Sequence, residues 1–182
     1  MEIECRVKLD DPAHIRTTLR EWGVQFVGKE KQDDLIFKRK GEEMAVQKPG
    51  SFILRIRKTD KKTLLTFKAL TLNSGVWEEH EVDVSDAEVT EQILTALGFV
   101  KVLVMHKERE RGTLEGMTFC LDRIERLGDF LEVEVIGEDA NEAKRKIGET
   151  LRELGFSDKE IIHKGYVAML FEMEGIGFEG TG

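Results

Sequence analysis

What most constrains this chain is a series of short alternating stretches whose polar faces are charged and sorted by sign. The first covers residues 2–9, where Ile3, Cys5, Val7 and Leu9 alternate with Glu2, Glu4, Arg6 and Lys8. Successive side chains of a β-strand point to opposite faces. One face of this strand is therefore apolar, and the other carries acids followed by bases. Alone, it reads as a half-buried strand with a solvated charged face. The sharper reading, a charged face lining a polar cavity, requires other strands to repeat the pattern.

They do. Arg55 and Arg57 share a parity in 51–58, Lys68 sits on one parity of 63–70, and Glu79 and Glu81 share one in 76–84. Lys107 and Arg109 follow in 99–110, Asp122 in 117–124, and Glu132 and Glu134 in 130–136. On this parity each of these later strands carries only acids or only bases, and nearly all have a strongly apolar opposite face. This combination points to an α+β fold: a closed or nearly closed antiparallel β-barrel with a polar lumen and helices packed on the outside. Charges facing such a lumen are costly without partners or ligands. A mixed lining suits a polyphosphate with a divalent metal, with bases on phosphate oxygens and carboxylates on Mg²⁺ or Mn²⁺.

The helices are marked by caps and stops. Asp11-Pro12 opens one with Ile15, Leu19 and Trp22 as its apolar stripe, and Gly23 ends it. Ser85 with Glu88 has capping-box spacing, ahead of Val89, Ile93, Leu94 and Leu97, and Gly98 closes that helix. Residues 140–154 form a third (Ala143, Ile147, Leu151, Leu154), ended by Gly155. Ser157 with Glu160 starts a short one, and 165–173 forms the last. Between the first two helices lies a strand over 31–40, with Gln32, Asp34, Ile36 and Lys38 opposite Leu35 and Phe37. A short strand over 44–47 follows, then a turn at Lys48-Pro49-Gly50, and 71–75 is a loop. A strand–helix–strands unit recurs, over roughly 1–84 and 85–182. The expectation is a single domain over 1–174 with a weak internal two-fold repeat. The tail 175–182, with four glycines in eight residues, is expected to be flexible.

Composition excludes several classes. A chain of 182 residues, 40% hydrophobic and 35% charged, can bury an adequate core as a soluble globule. A net charge of −8 argues against a general nucleic-acid binder. The first residues are charged and no apolar run approaches the ~18 residues of a span, so neither a signal peptide nor a membrane partner is expected. Cys5 and Cys120 make no metal or redox spacing and read as small core residues in a reducing cytoplasm. His14 and His163 read as surface or satisfied residues, and His80 and His106, on the parity opposite the charged one, as structural. Lys144-Arg145-Lys146 is a solvated helix face. Walker, Rossmann, nucleophile-elbow and zinc patterns are missing from the sequence.

Glu2-x-Glu4-x-Arg6 resembles the ExExK signature of the CYTH superfamily, the triphosphate tunnel metalloenzymes, which include class IV adenylyl cyclases, thiamine triphosphatases and inorganic triphosphatases. The resemblance covers nearly the whole chain in order. Leu54-Arg55-Ile56-Arg57 resembles the family's arginine strand and Thr66-Phe67-Lys68 its lysine strand. Glu79-His80-Glu81 is similar to its mid-chain acidic strand, and Lys107-Glu108-Arg109 to its KxR strand. Asp122 and the run Leu127-Gly128-Asp129-Phe130-Leu131-Glu132-Val133-Glu134 resemble its late acidic strand. No motif is specific singly; six in the correct order are.

The resemblance implies an eight-stranded antiparallel tunnel binding a triphosphate with Mg²⁺ or Mn²⁺. Glu2, Glu4, Asp122, Glu132 and Glu134 would serve the metals. Arg6, Arg55, Arg57, Lys68, Lys107 and Arg109 would hold phosphates, and catalytic roles would fall to Glu79, Glu81, Lys107 and Arg6. Glu79 and Glu81 would position a second metal, water or a base. Arg6 departs from the usual Lys; because Arg does not readily lose its proton, a role needing a neutral amine does not carry over there, while a phosphate-clamping role does. Tyr166 resembles a C-terminal family tyrosine and equally suits packing of the last helix. A homodimer is carried over from the family.

Two enzyme readings share such a site. In a cyclase the ribose 3′ hydroxyl of ATP attacks the α-phosphorus and pyrophosphate leaves. In a phosphohydrolase water attacks the terminal phosphorus of thiamine triphosphate, tripolyphosphate or a nucleoside triphosphate. The layout around Leu127-Gly128-Asp129-Phe130 leans toward the cyclase. A non-catalytic polyphosphate-binding module is a third reading, which so many carboxylates disfavour.

Overall fold

A computed structural model describes residues 2–41, 51–70, 77–137 and 139–174. The side chains of Glu2, Leu70 and Trp77 lie outside the described set, as do the expected strand at 44–47, the turn at 48–50, the loop at 71–75 and the tail at 175–182. Strands β1 (Glu2–Lys8), β2 (Gln25–Arg39), β3 (Phe52–Thr59), β4 (Thr63–Leu70), β5 (Trp77–Val84), β6 (Phe99–Leu114), β7 (Met117–Ile124) and β8 (Gly128–Ile136) form one sheet. Helices α1 (Pro12–Glu21), α2 (Ala87–Ala96), α3 (Ala140–Glu153) and α4 (Tyr166–Met173) complete the α+β fold. The strand order is β1-β8-β7-β6-β2-β3-β4-β5, and the pairings described below are antiparallel. The described residues divide into two compact units, one within Met1–Glu30 and Glu108–Lys164, the other within Lys31–Lys107 and Gly165–Gly182.

In the first unit β8 is central. It pairs β1, bringing Glu4 opposite Glu134 and Arg6 opposite Glu132. On its other side it pairs β7, with Cys120 opposite Glu132 and Thr118 opposite Glu134. The alternation of all three strands puts Ile3, Cys5, Val7, Phe119, Leu121, Leu131 and Val133 in one buried cluster with Ile15 and Leu19 of α1 and Ala143, Ile147 and Leu151 of α3. Burying a Leu or Ile side chain of this kind is worth about 1.5–3 kcal/mol. Asp11 caps α1 by accepting the N–H groups of Ala13 and His14, with Pro12 in the first turn. Gly23, at φ 102°, lets the chain leave α1 for β2. Glu110 is buried and accepts from Arg16 Nε at 2.8 Å, tying α1 to β6. Ser157 with Glu160, expected to start a short helix, forms a capping box around a single 3-10 turn, Asp158–Glu160.

In the second unit β3 pairs β2 and β4, and β4 pairs β5. The apolar parity forms a smaller core of Phe37, Ile56 and Leu94, with Leu35, Leu54, Leu65, Ala87 and Phe99 packed on it. Two expectations for α2 are corrected. Its cap is Asp86, whose carboxylate accepts from Glu88 and Val89, one residue past Ser85. Only Leu94 of its apolar stripe is buried; Val89, Ile93 and Leu97 are 48%, 54% and 69% exposed.

Candidate functional site

The polar faces of the two units gather separate charged clusters. In the first unit, alternation along β1, β6, β7 and β8 brings Glu4, Arg6, Arg109, Asp122, Glu132 and Glu134 onto one network. Arg6 donates from Nε and Nη2 to Glu132 Oε2 at 3.0 and 2.9 Å, and its Nη2 lies 2.8 Å from Glu4 Oε1. Arg109 meets both Asp122 oxygens at 2.7 and 2.6 Å, Glu132 Oε1 at 2.5 Å and Glu134 Oε1 at 3.5 Å. Burial alone would lower the Arg109 pKa, but the charges of Glu132 and Asp122 outweigh it and raise the pKa well above its ordinary value. Arg111 reaches Glu134 Oε2 at 3.3 Å. These hard oxygen donors fit Mg²⁺ or Mn²⁺. Glu4 is the most open of them, with 29% of its side chain exposed.

In the second unit Asp34 of β2 sits opposite Arg57 of β3. Arg57 grips it through Nε at 2.6 Å and Nη2 at 2.7 Å. Burial pushes the Asp34 carboxyl up, but those bonds and the charges of Arg57, Lys107 and Arg55 prevail and hold it lowered to about 2. Arg55 is placed differently. Its Nη2 donates to Thr66 Oγ1 at 3.2 Å, and its contacts with Asp34, Glu79 and Glu81 are long, at 3.9, 3.6 and 3.8 Å. Its Nε is buried with no hydrogen-bond partner among the described residues. Burial, then the neighbouring charge of Arg57, lowers its pKa. Lys68 Nζ lies 3.3 Å from Glu79, and Thr66 donates to Glu81 at 3.0 Å. Lys107 is buried, with its Nζ 5.8 Å from the centre of the Tyr166 ring.

Every expected site residue with a described side chain therefore falls in one cluster or the other. Glu2 lies in β1 opposite Ile136, and its side chain is outside the described set. Lys8 is exposed. His80 and His106 are exposed and bond to Glu78 and Asp33, away from both clusters.

Asp34 and Lys38, both buried, are not among the residues the sequence points to; Lys38 Nζ donates to the Phe52 carbonyl at 2.6 Å. Their signal was the Gln32-Asp34-Ile36-Lys38 row, which mixes signs and apolar residues and so does not stand out. Cys120 is a buried residue, as expected, but its neighbours are polar. It faces the carboxylates, and one ligand atom each of Cys120, Glu132 and Glu134 lie within 4.8 Å of one another. Burial, the largest influence, raises its thiol pKa.

A family model described as CYTH domain matches residues 1–166. A protein of Methanocaldococcus jannaschii named "Putative adenylate cyclase MJ0240" is 32% identical over 174 residues, 93% of this chain and 98% of its own. The solved structure of the PH1012 protein from Pyrococcus horikoshii is 31% identical and superposes with a TM-score of 0.79 over 92% of this chain and 98% of its own. A Hippeastrum protein, a "putative adenylyl cyclase" that reveals a dominant triphosphatase activity, is 18% identical, with a TM-score of 0.65 over 96% of this chain and 95% of its own, and shares the fold. Among the described residues no helix is long and apolar enough to cross a membrane.

Proposed function

The chain belongs to the CYTH domain family, and we propose that it is a metal-dependent enzyme acting on a triphosphate, with ATP cyclisation to cyclic AMP and pyrophosphate as its reaction. The observation that carries this reading is Arg55. A guanidinium with a buried Nε that has no hydrogen-bond partner among the described residues, and only long ionic contacts, is a cation awaiting an anion. Beside it on the sheet face stand Arg57, already committed to Asp34, and Lys68 on β4. A phosphate oxygen would give the Arg55 Nε an acceptor. Lys107, in the same unit, adds positive charge for the remaining oxygens. In the first unit Glu4, Asp122, Glu132 and Glu134 are assigned to Mg²⁺ or Mn²⁺, whose chemistry would be charge neutralisation.

The residues then divide the work. Arg55 and Lys68 bind and orient the phosphates, and Glu79 and Glu81, on the same face, accept the proton of the attacking hydroxyl. The 3′ oxygen forms a bond to the α-phosphorus. The bond from that phosphorus to its bridging oxygen breaks, and pyrophosphate leaves with the electron pair. The name carried by the M. jannaschii relative supports this reading. One observation favours hydrolysis instead: Glu79 and Glu81 are 32% and 37% exposed, open enough to align a water against the terminal phosphorus. Phosphorus NMR of reactions with ATP, thiamine triphosphate and tripolyphosphate, each with Mg²⁺ and with Mn²⁺, decides. Cyclic AMP with pyrophosphate is expected. Orthophosphate instead would establish the hydrolase, and binding without turnover would leave a polyphosphate-binding module.

A further inference from the structure

We propose that Arg6 is a positioning residue: it fixes Glu4 and Glu132 for the metal and anchors residues 162–164, and it does not itself bind phosphate. This rests on the triphosphate reading above. The Arg6 side chain is 2% exposed, against 19% for that of Arg55. Its Nε and Nη2 serve Glu132 Oε2, its Nη2 also serves Glu4, and its Nη1 donates to the Lys164 carbonyl at 2.5 Å. A phosphate could reach Arg6 only by displacing buried ion pairs, and would then sit against the carboxylates of Glu4 and Glu132.

The backbone is tied to the same place. Arg6 N–H donates to the Ile162 carbonyl at 3.1 Å, and Ile162 N–H donates back to Arg6 at 2.7 Å. Main chain and side chain of one residue thus hold both ends of the 162–164 segment. Glu132 is meanwhile held on its other oxygen, Oε1, by Arg109. Its carboxylate plane is set from two sides, as the outer partners of a metal ligand set its orientation. This explains why Arg stands where the family pattern has Lys. A planar fork can serve a carboxylate through Nε and Nη2 while Nη1 reaches a carbonyl on another segment. An ammonium is a single point and cannot span both.

Two measurements test this. In nitrogen–proton spectra of the wild-type chain, tripolyphosphate added without metal should move the Arg55 Nε–H signal and leave that of Arg6 in place. In Arg6→Lys, Mn²⁺ affinity followed by electron paramagnetic resonance should weaken about tenfold. Exchange of the Ile162 amide should accelerate in the same variant, while metal-free tripolyphosphate affinity stays within about twofold. The proposal is overturned if the Arg6 signal moves with tripolyphosphate alone, or if the variant loses tripolyphosphate affinity with Mn²⁺ affinity intact. A wild-type chain that takes up neither tripolyphosphate nor Mn²⁺ would instead overturn the triphosphate reading on which the proposal stands.

Discussion

Arg55 and Arg57 stand two residues apart on β3, yet they do different things. Arg57 is committed to Asp34 through two short bonds, whereas Arg55 is held by one neutral bond and distant carboxylates. Arg55→Ala should therefore weaken tripolyphosphate binding by ~10- to 100-fold with little change in stability, as expected for a charge-assisted bond lost to a ligand. Calorimetry with thermal melts separates the two effects. Arg57→Ala should instead cost ~3 kcal/mol of stability, because it strands a buried carboxylate. Asp34 carries its own pH signature. Its carboxyl is lowered from 3.8 to about 2, so its contribution of ~2 kcal/mol is fully present above pH ~4 and lost as pH falls through about 2. Wild-type unfolding free energy should decline in that window by this amount more than that of Asp34→Asn; parallel curves for the two would show that the pair stabilises nothing. Arg55, Arg57, Glu132 and Glu134 were legible in the sequence because each strand shows one sign on one parity. Asp34 was not, because its row of Gln32, Ile36 and Lys38 shows no single chemistry.

At the scale of elements, strands were easier to read than their ends. β4 and β7 begin and end where alternation predicts. β2 begins at Gln25, well before the expected 31, and β6 runs to Leu114, past Gly112. Gly28 and Gly112 interrupt the apolar pattern, and period-two reading stops at such residues although pairing does not. Gly112 has a packing reason: a Cβ there would lie 2.6 Å from Val24 Cγ1 and 2.9 Å from Phe26 Cδ1. Gly112→Ala should cost ~1–3 kcal/mol, measured by chemical denaturation. The stripe of α2 shows the opposite limit. Val89, Ile93 and Leu97 have the spacing of a core face, and spacing alone does not say how much sheet lies beneath a helix.

At the scale of the whole molecule, parity says which face a residue takes but not which strand lies beside it. The pairing of β1 with β8, which places Glu4 and Arg6 against Glu134 and Glu132, joins segments some 130 positions apart and is not visible in either. The family pattern supplied the expectation that these strands serve one site; their acidic registers are a property of the fold. Glu4 is the ligand candidate whose replacement disturbs the network least, since Arg6 keeps Glu132 and Lys164. Glu4→Gln should raise the Mn²⁺ concentration for half-maximal turnover by roughly tenfold while leaving the melting temperature nearly unchanged. The central claim is that this chain binds a triphosphate together with a divalent metal. Calorimetric titration of the wild-type protein with tripolyphosphate, with and without Mn²⁺, tests it most directly. One tripolyphosphate per chain, bound at least about tenfold tighter with Mn²⁺, is the predicted result. Equal affinity with and without the metal, or no binding in either case, would contradict it.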